Sequence, residues 1–224
     1  MQHPFTCIGS GSAGCGKCVF TFKLIRHAEQ VIKPPPERII YCYGEYQKVF
    51  DNYWNVEFHD GLPDHNDFDD KSRTLLVLDD LMTSTDDRVV EFFTKISHHR
   101  NLFVVYLTQN IFYKNKQSRT LSLNSHYLVL LKNARDASKV ANLARQMYLG
   151  KSAFMVESFK NATSAPYGHI LIEETTENLG LGQDFSQEMT YSCTSEWHGP
   201  NHRTMRSWQL FISRWTFDAN NSLS

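Results

Sequence analysis

The chain of 224 residues has no apolar run near the roughly 18–20 residues that a membrane helix needs. A membrane is therefore not among its expected partners. The first residues, MQHPFTCIGSGSAG, carry neither the basic stretch nor the long apolar core of a secretion signal. Neither sign of charge prevails: 23 basic residues face 24 acidic ones, a formal net charge of −1. That balance exerts no global pull on nucleic acid, so any such contact needs a local patch. Cysteine is sparse and odd in number: Cys7, Cys15, Cys18, Cys42 and Cys193. Without a secretion signal, this predicts free thiols in a reducing, intracellular compartment. No internal repeat is present. What remains is an ordinary composition, 41% hydrophobic and 21% charged, long enough for one domain with a full core or one domain plus a tail.

The pattern along the chain alternates strands and helices. FTCI at 5–8 reads as a short buried strand. Apolar residues at helical spacing predict a helix over about 17–32, which the prolines at 34–36 end. RIIYCYG at 38–44 is β-branched and aromatic, and NVEFHDG at 55–61 is a short extended piece. Three continuous apolar runs suit parallel strands buried on both faces: TLLVLDDLM (74–82), NLFVVYLTQN (101–110) and SHYLVLLKN (125–133). Helices are predicted over 86–97, 135–148 and 151–163, and a last strand over 167–174. This is an α/β chain with a mostly parallel sheet. Beyond about residue 179 the periodicity is lost, so the reading divides the chain into a domain over 1–178 and a tail over 179–224.

The chemistry begins at GSGSAGCGKC, residues 9–18. Gly11 to Lys17 has the spacing of a phosphate-binding loop, between a predicted strand and a predicted helix. The cradle comprises Gly11, Ser12, Ala13, Gly14, Cys15, Gly16, Lys17 and Cys18. Its glycines let backbone N–H groups face inward as an anion nest. The helix start adds free N–H groups and a positive dipole end, and Lys17 a mobile charge for the outer phosphates. Asp79 ends a buried strand and is a candidate magnesium ligand; Asp80 is placed to orient or deprotonate an attacking water. Gln109 ends the next strand, where an amide can sense the γ-phosphate or the water, with Asn110 as the neighbouring alternative. Asp79, Asp80, Gln109 and Asn110 all fall at predicted strand C-termini, where open α/β sheets bind ligands. The bland readings are a glycine-rich turn, a cap made of two aspartates and a strand-end amide.

Other features are weaker. Arg100, in SHHRN, is either an arginine finger for a neighbouring subunit or a solvated loop residue. Lys114, Lys116 and Arg119 form a small basic segment that could touch DNA phosphates, though a solvated surface is the default. Cys193-x4-His198-x3-His202 has only loosely zinc-like spacing. Cys15-Gly-Lys-Cys18 also has Cys-x-x-Cys spacing, but phosphate binding explains the surrounding glycines better.

HPFTCIGSGSAGCGK, TLLVLDDLM, HHRNLFVVYLTQNIF and YLVLLKNARD, in this order and spacing, resemble the genome-packaging ATPases of the FtsK–HerA superfamily. The type is the poxvirus-like one carried by Maverick/Polinton elements and adintoviruses. The resemblance spans about residues 3–178. It implies a P-loop NTPase fold, a three-layer α/β sandwich of the additional-strand type with sheet order 5-1-4-3-2. It implies an ATPase using ATP and Mg2+, assembled as a homo-oligomeric ring that moves double-stranded DNA into a capsid. Capsid proteins are then further partners, and a nucleus or viral factory the setting. By position, Lys17 matches the Walker A lysine, Asp79 and Asp80 the Walker B pair, and Gln109 the sensor. Arg100 lies where relatives carry an arginine before the sensor strand. Two departures stand out. Cys18 replaces the usual hydroxyl residue, a poor substitution for a hard cation such as magnesium. The tail after 179 does not match the family continuation. Both suit a decayed or domesticated mobile-element copy. The alternatives are a weak or inactive nucleotide-binding protein and, further off, a P-loop small-molecule kinase.

Overall fold

The computed structural model describes residues 1, 4–68, 71–81, 87–110, 116–133, 137–147, 152–176 and 206–213. Its centre is one eight-stranded sheet in the order β3-β2-β4-β5-β1-β6-β7-β8. The strands are β1 (Thr6–Ser10), β2 (Arg38–Tyr43), β3 (Glu57–Asp60), β4 (Thr74–Asp79), β5 (Leu102–Thr108), β6 (Tyr127–Leu131), β7 (His169–Thr176) and β8 (Arg206–Ser213). β1 to β6 run parallel, while β7 and β8 are antiparallel additions at one edge.

Every residue of β1, β4, β5 and β6 is buried. That burial on both faces is why these strands read as unbroken apolar runs. Alternation along β4 shows the two faces. Leu75 and Val77 pack with Phe22, Leu24 and Ile25 of helix α1 (Lys17–Arg26). Leu76 and Leu78 pack on the other side with Phe92, Phe93, Leu121 and Phe159. Those residues come from the segment α3 (Asp87–Glu91), a π-helical turn (Phe92–Ile96) and α4 (Ser97–His99), from α5 (Lys116–Leu123) and from α7 (Ser152–Ala162). Helix, sheet and helix thus make three layers, and α6 (Ala137–Met147) packs beside α7.

Several expectations need correction. The sheet does not have the five-strand order 5-1-4-3-2; it has eight strands. Its inner five, β2-β4-β5-β1-β6, do follow that connectivity when counted without β3 and read from the other edge. The difference lies at the edges, where β3 pairs with β2, and β7 and β8 extend the far side. The helix expected over 17–32 breaks at His27, whose ψ of 16° leaves helical geometry, before the short α2 (Ala28–Val31). β8 comes from the segment read as tail, pairing Ile212 with Ile170 and Leu210 with Ile172. Lys114 and the Cys193, His198 and His202 set lie outside the described residues. Among the described residues no helix is long and apolar enough to cross a membrane.

Candidate functional site

The glycine-rich loop leaves β1 between its two parallel neighbours and is tied to both. Gly11 N–H donates to Thr108 O at the end of β5 (3.2 Å), and Ser12 Oγ donates to Lys132 O just past β6 (3.2 Å). Cys15 N–H closes a turn on Ser12 O at 3.3 Å, which leaves Ala13 and Gly14 exposed at its tip. Gly14 and Gly16 take φ of 72° and 106°, a region that side chains other than glycine enter at a cost. α1 begins at once with Lys17. Gly16 supplies no side-chain cap and the first turn holds no acidic residue. The first amides of a helix have no intrahelical acceptor, and neither a cap nor an acidic residue of α1 itself offsets the positive dipole end.

Lys17 folds back across its own loop. Its Nζ donates to Gly11 O (2.9 Å) and Ser12 O (3.2 Å), and the residue is 8% exposed. The ammonium therefore sits at the mouth of the cradle, on carbonyls that a phosphate oxygen can replace.

β4 brings in the two aspartates. Asp79 is buried (7% exposed), and its Oδ2 accepts from Tyr41 Oη at 2.6 Å and from Cys18 Sγ at 3.8 Å. Burial lifts its carboxyl above the ordinary carboxylate range. The Tyr41 hydroxyl and the Lys17 ammonium pull it back in part, and Asp80 pushes it up further. Burial, with Asp79 beside it, likewise raises the Cys18 thiol. Asp80 turns outward with a φ of 48°, which Asp tolerates better than most side chains. It is exposed, and its Oδ2 accepts from Gln109 Nε2 at 2.9 Å. Asn110 Oδ1 accepts instead from Lys139 Nζ of α6, at 3.4 Å.

The structure therefore brings Lys17, Cys18, Asp79, Asp80 and Gln109 to one edge of the sheet. It does not bring Arg100 there. Arg100 precedes β5, while the loop meets the far end of that strand. The seven residues of β5 separate them by roughly 20 Å. Its guanidinium donates to Phe68 O at 2.9 Å. Lys116 and Arg119 lie on α5 in the opposite helix layer from α1. The four cysteines among the described residues are free thiols.

As a magnesium site the donor set fits in part. Asp79 supplies hard oxygens beside the cradle, and magnesium is commonly held by one or two carboxylates plus substrate phosphates. The Cys18 thiol is a soft donor and does not suit it. Tyr41 is the residue that sequence reasoning missed here. It reads as one more aromatic of a buried strand, and its partner lies 38 positions away. No sequence signal joins the two.

No protein-family model matches the chain, and no curated protein matches it. Among solved structures it is similar to the flagellar accessory protein FlaH from Methanocaldococcus jannaschii. The identity is 11%, the match covers 57% of this chain and 71% of that chain, and the TM-score is 0.41. A likeness this slight does not bear on function.

Proposed function

We propose that the chain binds ATP at the β1–α1 loop and hydrolyses it there. One observation carries this reading: Lys17, Asp79, Asp80 and Gln109, from three stretches of sequence, stand at the same end of the sheet, Asp79 beside the start of α1 and Gln109 bonded to Asp80 at the end of the strand that holds the loop. The loop amides and Lys17 bind the phosphates, and Lys17 exchanges its carbonyl partners for them. Magnesium, held by Asp79 and the phosphates, would neutralise the charge of the outer phosphates. Asp80 accepts a proton from the attacking water as its oxygen bonds to the γ-phosphorus. The β–γ bridging bond breaks, giving ADP and phosphate. Gln109 holds Asp80 in place through its amide N–H, which leaves its amide oxygen to accept from the same water.

The finer proposal is a motor subunit that moves double-stranded DNA within a homo-oligomeric ring. It is supported by the four sequence segments that resemble packaging ATPases. It gives Arg100 a role only toward a neighbouring subunit, since Arg100 stands at the other end of the sheet from its own loop. Capsid proteins would then be the ring's further partners. A second reading has its own observation. Cys18 Sγ occupies the flank of Asp79, at 3.8 Å, where a hydroxyl would serve magnesium better. On that reading the chain binds ATP and turns it over slowly or not at all.

ATP binding and phosphate release, measured on one preparation with and without double-stranded DNA, separate these readings. Binding with DNA-stimulated turnover is the expected result for the motor. Binding without turnover leaves the second reading, and no binding ends both.

A further inference from the structure

Sheet order decides which way a bound triphosphate runs. β1 and its loop lie between β5 and β6. Asp79, Asp80 and Gln109 stand at the ends of β4 and β5, on one side of that loop. The reacting phosphate belongs there, so the other end of the ligand passes over the β6–β7 side. β7 runs antiparallel to β6 and pairs His169 with Leu131, which puts the start of β7 at the same sheet edge as the loop.

The side chain presented at that place is Tyr167. It holds a left-handed φ of 59°, costly for a bulky residue. A close turn imposes it. Gly168 N–H donates to Ala165 O at 3.2 Å, and a Cβ on Gly168 would fall 1.9 Å from Ala162 O. The buried His169 hydrogen-bonds the Tyr167 carbonyl through Nδ1 at 3.4 Å, and its ring meets Phe20 of α1 edge-on, centroids 4.9 Å apart. These contacts seat Tyr167 against Gly16, where a Cβ would lie 2.6 Å from Tyr167 Cδ1. Even so, Tyr167 keeps 44% of its surface exposed.

We propose that Tyr167 is the platform on which the base of a bound nucleotide stacks, so that the site takes purine nucleoside triphosphates over bare polyphosphate. This rests on the nucleotide reading above. Any base offers a π face and purines offer the larger one. A ring already seated against Gly16 loses little freedom when a base covers it. It strengthens only ligands that carry a base, whereas the loop and Lys17 hold phosphate regardless of what is attached.

Calorimetric titration of the full chain with ATP, and separately with inorganic tripolyphosphate, tests this. The proteins are wild type, Tyr167→Ala, Tyr167→Phe and Lys17→Ala. Tyr167→Ala is expected to weaken ATP about tenfold and to leave tripolyphosphate unchanged, while Tyr167→Phe keeps both affinities. Lys17→Ala is expected to weaken both ligands. An equal loss of both in Tyr167→Ala would mean that the ring only props the loop. No loss of either, or a wild type that binds tripolyphosphate as tightly as ATP, would mean that no base is stacked. Each of these overturns the platform and leaves the phosphate site standing. A wild type that binds neither ligand overturns the nucleotide reading and the platform with it.

Discussion

β1 divides the edge of the sheet into two unlike flanks. On the β4–β5 flank stand two carboxylates, one accepting from a thiol and a phenol and the other from an amide. On the β6–β7 flank stand a backbone carbonyl that holds Ser12, a tyrosine ring and a buried imidazole. One flank concentrates ionisable groups, and the other is shaped by turn geometry and aromatic contact. On the proposed reading the difference would let one loop serve two tasks: bond breaking where carboxylates gather, and recognition of the ligand's other end where an aromatic ring is offered.

The sharpest way to break this division is Asp80→Asn. The amide cannot take the water's proton, so turnover should fall by about 10²–10⁴-fold while ATP binding stays. Single-turnover phosphate release beside a binding titration reads both. An equal loss of binding would make Asp80 part of the scaffold.

The next test belongs to the other flank. Burial lowers His169 from 6.5 to about 4, so the folded protein holds it neutral. The unfolded chain protonates it near 6.5 and the native state only near 4. Its contribution to stability is therefore complete above pH 6.5 and drains away as pH falls towards 4. The full loss is about 3 kcal/mol. Urea unfolding across that window should show the slope, and His169→Gln should flatten it. A slope that survives the substitution would assign it to other groups.

Tyr41→Phe removes the hydroxyl from a buried carboxylate. Hydrogen bonds to charged groups are worth about 2 kcal/mol, so the unfolding free energy read from a urea titration should fall by about that amount at neutral pH, with the midpoint moving to lower urea. Unchanged stability would mean that Asp79 finds another donor. The smallest effect is expected of Cys18→Ser, a few-fold gain in magnesium-dependent hydrolysis on the first flank alone. No gain would show that the thiol is not what limits the site.

How much of this was legible in the sequence follows from where each interaction lies. Gly11 to Lys17 is a local pattern, and the apolar runs ending at Asp79 and before Gln109 mark strands buried on both faces. The loop and its β4–β5 partners were therefore readable. Tyr41 was not, because its meaning depends on a partner strand. Nor was Tyr167, whose conformation comes from the turn around it and from Gly168 rather than from any preference of tyrosine. α5 escaped notice because KQSRTLSL buries only Ser118 and Leu121 among its described side chains. β3 is four residues at the edge with none of them buried, too little for a pattern to reveal its place.

The first strand of the chain is also one of its most central. β1 pairs Thr6 with Val104 and Cys7 with Tyr127, partners about a hundred residues away. During synthesis, then, the whole phosphate motif leaves the ribosome long before either wall of its slot exists. Such distant pairings are slow to form, and until β6 arrives the apolar stretch FTCI has no strand on that side to shelter it. A fragment ending ahead of residue 127 carries every residue from Gly11 to Gln109 and still lacks the slot that holds them.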